Sequence, residues 1–367
     1  MTVTKQMLEQ LVTVLPAALP EIAHVNRGKL LAGGSHHQHF RFEVTQQSGT
    51  TRELVVRIPF TNNERTRRRM LVEHTLLQFL HQQGYDWMPD SLHYDASSSK
   101  LSVPFSIQTY IAGTRPRYIS KEQASELAYM VAMLHSLTIS PTLAAVLTVY
   151  QTWEDYVQAL LRSMEQWFQT LSSKPPEALV ALLPPVQQAL QKVSLAAQAR
   201  TAFMRAATGR QYLVHGDIGR HNLLQVGSDA SDEKGRQGGQ TRLYLLDWEF
   251  AGSGDPAFDI AVIFQGPQQQ KQWRTAFTTA YSALMDANSS EDLWQRVAFY
   301  GPIVTAHTML WALGELFASW PGAQSLSQVA WYARTLYNRL TLIDPVANKE
   351  VATMLDRALN ERFGSSR

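Results

Sequence analysis

The chain of 367 residues contains no cysteine. This excludes disulfides, thiolate nucleophiles and Cys-ligated zinc, and it suits a reducing compartment. Charge of either sign is scarcely in excess. The 33 basic and 31 acidic residues leave a formal net charge of +2, so no global field for nucleic acid or anionic lipid is expected. The one concentrated basic run, Asn63 to Met70 (NERTRRRM), reads as the solvated start of a helix. Long uninterrupted apolar runs are missing as well. The first thirty residues lack the apolar core of a signal peptide. The most apolar stretch, Phe299 to Trp320, carries Gly301, Pro302, His307 and Glu315, which favours a buried helix over a membrane span. A cytoplasmic protein without nucleic-acid or membrane partners is the expectation.

What is present is an ordinary packed globular composition, 45% hydrophobic, on a chain longer than one hydrophobic core usually supports. Residues 4–14 read as a short helix. Ala23 to Val44 then reads as a strand, a Gly-Gly break and a second strand, and Glu53 to Phe60 (ELVVRIPF) as a third, giving an antiparallel meander. Residues 64–82 show helical spacing at Met70, His74, Leu77 and Leu80, and Ser102 to Gly113 returns to strand. Beyond Gly113 the character changes: residues 122–137 and 153–171 are amphipathic helices, and most of 270–362 is helical. The fold class expected is α+β, with a sheet-rich part over 1–112 and a mostly helical part over 113–367. Gly227 to Gln240 is polar, Gly-rich and not expected to be ordered.

The stretch YLVHGDIGRHNLL, Tyr212 to Leu224, crowds His215, Asp217, Arg220, His221 and Asn222 between apolar runs. Leu223 to Val226 and Arg242 to Leu246 read as two strands of a hairpin with an extended loop, so the start of the first lies beside the end of the second. Asn222 precedes the first strand and Asp247 follows the second, and the two should meet at the hairpin's open end. With Asp217 nearby, the set consists of hard oxygen donors suited to magnesium. One aspartate, Asp217, can stay off the metal and accept a hydroxyl proton, as phosphoryl transfer requires.

These residues, HGDIGRHN followed by LLDWEFAGSGDPAFDIA (Leu245 to Ala261), resemble the aminoglycoside phosphotransferase and choline kinase superfamily, whose fold is the two-lobed protein-kinase-like one. The resemblance implies Asp217 as catalytic base, Asn222 and Asp247 as magnesium ligands, and His215 and Asp259 as supports of the loop, Asp259 by helix capping. It places Arg57 of VVRIP on the nucleotide phosphates, with Glu73 as its partner in preference to Glu64. It puts Gly33, Gly34 and Ser35 of AGGSHH in the phosphate-covering loop, and the main chain of Thr109 to Ile111 at the purine edge. ATP, with GTP an open alternative, and Mg2+ are the cofactors implied. The loop departs from the family in two ways. Gly219 stands where protein kinases carry lysine, so that Arg220 is the candidate to reach the transferring phosphate, and DIGRHN replaces the more frequent DLHPGN, which leaves His221 without a role.

The acceptor is expected to be a small hydroxylated molecule held by the helices of 140–210 and 270–362, which offer Trp153, Glu154, Asp155, Tyr156, Trp167, Trp311, Glu315 and Trp320. The near-neutral charge speaks against a polyamine-like antibiotic. Tryptophans suit a choline-type cation, but at helical spacing they more often fill core. A sugar, thiamine or amino alcohol is the broadest reading, and a nucleotide-binding but inactive protein is the alternative of a different class.

Overall fold

The structure, a computed structural model, describes residues 3–31, 36–97, 99–200, 212–227, 241–265, 271–285, 290–322 and 326–364. Helix α1 (Val3–Ala18) precedes strands β1 (Ile22–Leu31), β2 (His37–Gln46) and β3 (Thr51–Pro59), then α2 (Glu64–Gln82), β4 (Ser91–Asp95) and β5 (Phe105–Thr109). The strands form one antiparallel sheet in the order β1-β2-β3-β5-β4. Helices α3 (Lys121–Ser136), α4 (Pro141–Val146), α5 (Trp153–Ser172) and α6 (Leu183–Gln198) follow. Three short strands come next, β6 (Tyr212–Val214), β7 (Leu223–Val226) and β8 (Arg242–Leu245). The chain ends in α7 (Pro256–Ile263), α8 (Lys271–Leu284), α9 (Ser290–Ser319), α10 (Leu326–Ile343) and α11 (Asn348–Phe363).

The chain folds as two compact units, one made of Met1–Val149, Tyr212–Ser253 and Gln268–Met285, the other of Tyr150–Gln211, Gly254–Pro267 and Asp286–Arg367. The sequence changes character near residue 112, whereas compactness joins residues 212–253 to the sheet. Hydrogen bonds give the reason. Leu245 N–H donates to Trp87 O at 2.8 Å, Thr114 and Gln225 exchange backbone bonds at 2.8 and 3.0 Å, and Leu243 N–H donates to Glu126 Oε1 at 2.9 Å.

Side chains alternate across a strand. Phe40, Phe42 and Val44 of β2, Leu54, Val56 and Ile58 of β3, and Phe105 and Ile107 of β5 therefore share one face, and all are buried. Helix α1 covers this face with Leu11, Val14 and Leu15, spaced at i, i+3 and i+4. Arg57 has the opposite parity and so faces away from this core, where it meets α2. That helix starts where the Asn63 side chain accepts from Thr66 N–H, and it buries Met70, Val72, Glu73, Leu76, Leu77 and Leu80. Strand β4 is absent from the sequence reading, since SLHYD is short and mostly half-buried and lacks a clean alternation.

In the second unit α9 is apolar around most of its circumference and buries Tyr300, Ile303, Met309, Leu310, Leu313 and Leu316 among α5, α6, α7 and α10. Among the described residues no helix is long and apolar enough to cross a membrane. The start of α7 corrects the capping expected of Asp259. Asp255 is the cap, accepting from Ala257 N–H at 3.0 Å, while Asp259 lies buried within the first turn of the helix.

Candidate active site

Arg57 is buried and doubly paired. Its Nη1 donates to Glu73 Oε1 and its Nη2 to Asp247 Oδ1 at 2.9 Å. Burial opposes the charge on the guanidinium, but Glu73, Asp247 and Glu249 together outweigh it and raise the pKa. Glu73 also accepts the backbone N–H of Trp248 at 3.2 Å, so α2 is fastened to the residue that follows Asp247. Burial likewise works against ionisation of Asp247, yet Arg57, by its charge and its hydrogen bond, holds the carboxyl below the usual range. Asp247 has φ +64°, the only positive φ of a non-glycine among the described residues. Such strain persists where the surroundings enforce it, here the pull of Arg57 on one side and the buried Trp248 on the other.

The hairpin brings the remaining groups to the same place. Leu223 of β7 pairs with Leu245 of β8, and Leu246 N–H donates to Asn222 O at 2.8 Å. Asn222 thus lies against the segment that delivers Asp247. Its Nδ2 donates at 3.0 Å both to Asp217 O and to Asp217 Oδ2. His215 is fully buried. Its Nε2–H donates to Leu246 O at 3.1 Å and its Nδ1 accepts Asp217 N–H at 3.2 Å, while the ring packs on Trp248 at 4.5 Å. Gly216, between them, has φ +83°, and a Cβ there would meet Phe250 O at 2.5 Å, so this position needs glycine twice over.

These donors fit a divalent cation. Asn222 commits its nitrogen to Asp217 and keeps Oδ1, and Asp247 commits Oδ1 to Arg57 and keeps Oδ2 on a side chain that is 37% exposed. Among the described residues no cluster of three or more His, Cys, Asp or Glu side chains could cage a metal. Two hard oxygens in a half-open site match an ion that draws the rest of its shell from water and phosphate.

The profile of the phosphotransferase enzyme family, abbreviated APH, matches residues 27–300. The chain belongs to that family. No curated protein sequence matches it significantly. Solved structures similar to it include the ethanolamine kinase of Plasmodium vivax, 13% identical with a TM-score of 0.61 over 95% of this chain and 90% of the other. A choline/ethanolamine kinase family protein from Mesorhizobium loti is 17% identical, with a TM-score of 0.57 over 97% and 99%. An APH(2″) protein in its GDP and kanamycin complex is 15% identical, with a TM-score of 0.54 over 90% and 97%. At these identities the likeness shows the fold, the protein-kinase-like one.

Of the other site residues that resemblance implies for a family phosphotransferase, Gly33, Gly34 and Ser35 lie outside the described residues, as do residues 228–240 of the polar segment. Along Thr109 to Ile111, Thr109 N–H is taken by Asp90 O and Tyr110 N–H by Glu53 O, while the Ile111 amide has no backbone acceptor among the described residues. Arg220 is exposed and donates from Nη1 to Arg117 O at 2.8 Å, so in this structure its guanidinium is tied to the chain beyond Ile111. Asp259 belongs to the second unit.

The structure brings four further residues to this cluster that spacing did not reveal. Glu249 is buried with an unpartnered Oε1, and burial with the field of Asp247 pushes its pKa up to about 7. His37 Nδ1 lies 3.9 Å from it, and burial beside Arg57 pushes the imidazole down to about 3. Near neutral pH His37 is therefore uncharged, and the contact is not an ion pair. Phe250 takes the edge of His36 at 6.4 Å and the guanidinium of Arg69 at 4.4 Å. Arg69 comes from the basic run and corrects its reading as merely solvated. The DWEF quartet was the available signal, since an acidic and an aromatic residue directly after Asp247 share its surroundings.

The aromatic residues of the second unit divide into core and surface. Tyr156 and Trp320 are buried, Trp153 lies 3.9 Å from the Arg296 guanidinium, and Asp155 closes a capping box with Thr152. Glu154 is in the first turn of α5. Trp167 packs on His307 at 5.3 Å, and Trp311 packs on Trp331 and Tyr332 at 5.4 and 5.7 Å, with Tyr332 bonded to Glu315.

Proposed function

We propose that the protein transfers the γ-phosphate of ATP to a hydroxyl group of a small molecule. The observation that supports this most is the state of Asp217. Its Oδ2 accepts hydrogen bonds from Asn222 Nδ2 and His221 Nε2, each at 3.0 Å, while Oδ1 is left for a further donor. A carboxylate so held can take the proton of an acceptor hydroxyl as the oxygen attacks phosphorus. Asn222 Oδ1 and Asp247 Oδ2 would hold Mg2+, which when bound neutralises charge on the polyphosphate. Arg57, kept in place by Glu73, offers its cation to the phosphates, and the Ile111 amide can meet the purine edge. His215 and Gly216 set the angle of the loop, and Asp259 is assigned to the same support. GTP stays an alternative, since an APH(2″) neighbour holds GDP. Such chemistry places the protein in the cytoplasm, where nucleoside triphosphates are plentiful.

The test is ADP release from ATP and magnesium over a panel of aminoglycosides, choline, ethanolamine, thiamine, sugars and amino alcohols, with Asp217→Asn beside the parent. Acceptor-dependent turnover should fall by about two to four orders of magnitude in the variant. A variant that keeps the parent's rate removes Asp217 as base. If no acceptor turns over while ATP still raises the melting temperature, the protein is an inactive nucleotide binder.

A further inference from the structure

The loop residue without a role is His221, and glycine at position 219 explains where it sits. Gly219 has φ −92° and ψ 158°, a conformation open to any residue, so backbone strain does not demand glycine there. Space does. A Cβ on residue 219 would fall inside the van der Waals shell of His221 Cε1 and Nδ1. The imidazole thus occupies the volume in which a side chain two residues after Asp217 would lie. The 3-10 turn at Arg220–Asn222, closed by Asn222 N–H to Gly219 O at 2.9 Å, folds the ring back to that position.

From there His221 Nε2 lies 3.0 Å from Asp217 Oδ2, the same oxygen that Asn222 Nδ2 reaches at 3.0 Å. The ring is 59% exposed and Asp217 32%, so the pair stands at the open side of the cluster while Asn222 closes the buried side. Two donors on one oxygen fix both the rotation of the carboxylate and which oxygen stays free.

We infer that His221 is a positioning residue for Asp217: seated in the space that glycine leaves at 219, its Nε2–H holds Oδ2 and, with Asn222, presents Oδ1 to the acceptor hydroxyl. The inference rests on Asp217 being the base. It also gives Gly219 a function, since any side chain there displaces the ring that orients the carboxylate.

A double-mutant cycle with Gly219→Ala and His221→Ala tests this on magnesium-dependent ATP turnover, with an active acceptor or with water as acceptor. Each single variant should lose about tenfold to a hundredfold in kcat, the range for groups that orient a functional residue, with KM for ATP unchanged. The double variant should be no slower than His221→Ala, because alanine at 219 has then no ring to displace. His221→Gln, whose amide can donate in the same direction, should recover part of the rate. Additive losses, or a rise in KM at constant kcat, would overturn the inference. Long-range 1H–15N spectra of the imidazole provide a readout that needs no turnover. The Nε2 of His221 should carry the proton in the parent and shift in Asp217→Asn and in Gly219→Ala. If Nε2 bears no proton or ignores both substitutions, His221 does not hold Asp217. If the spectra behave as expected while no acceptor or water is phosphorylated, the contact stands and the phosphotransferase reading is what fails.

Discussion

Arg57 sits in the first unit's interior with Glu73 on one nitrogen and Asp247 on another. Taking away one carboxylate leaves part of a buried cation unpaired, and unmade bonds to charged groups cost about 1–3 kcal/mol. Glu73→Ala should therefore lower the urea-unfolding free energy by that amount and weaken nucleotide binding. Glu73→Gln, which keeps an acceptor for Trp248 N–H, should lose less. Gly216 is the other single position on which the loop turns. In Gly216→Ala the left-handed conformation alone costs about 1–2 kcal/mol, and the new Cβ collides with Phe250 O. Turnover should fall further than stability, because the displaced residue adjoins Asp217. Equal losses in thermal melts and in kcat would refute that. The residue types at this scale were legible from the sequence: His215, Asp217, Asn222 and Asp247 stand in one recognisable pattern. The company of Glu249 and His37 was not, for nothing in their spacing says that both are buried together.

Elements show the same division. Strands β2 and β3 are legible in the runs Ala23 to Val44 and Glu53 to Phe60, and α2 in its apolar spacing over residues 64–82. Phe40, fully buried under α1, should cost about 3–5 kcal/mol as Phe40→Ala in chemical denaturation. Strand β4 escaped notice because its five residues alternate poorly. In the second unit the start of α7 is tied to α9 by Asp255 and Arg296, whose Nε donates to Oδ2 at 2.9 Å. Burial raises the Asp255 pKa against the pull of Arg296. In Arg296→Ala the carboxylate is buried without its partner, a loss of about 3–5 kcal/mol at neutral pH. A raised carboxyl pKa means that the folded state binds the proton more tightly than the unfolded one, so stability increases as pH falls toward and through that pKa. The deficit of Arg296→Ala should therefore shrink on acidification toward pH 4, and a deficit unchanged between pH 7 and 4 would show that the pair is not charged in the parent.

At the scale of the molecule, the described site residues other than Asp259 all lie within one compact unit that the chain leaves and re-enters. A nucleotide and magnesium bound there would stabilise that unit by mass action, about 2.7 kcal/mol at a hundred times Kd. The melting transition should rise with ATP and Mg2+ together and return on adding EDTA, less so in Asn222→Ala. A shift indifferent to EDTA would place the nucleotide without the metal.

The amino-acid sequence by itself determined the chemistry on offer. It supplied a hard-oxygen donor set and a base candidate at close spacing, a hairpin to bring Asn222 beside the segment ending in Asp247, and no cysteine for a thiolate mechanism. Those features are set by turns, strand periods and side-chain types within one stretch of the chain, Tyr212 to Asp247. Only the tertiary structure decided that Arg57 meets Asp247 across 190 positions and that Arg69 stacks on Phe250. Such pairings follow from how whole elements pack. A side chain's partner across space is fixed by the faces that bury it, and spacing along the chain does not record which faces those are.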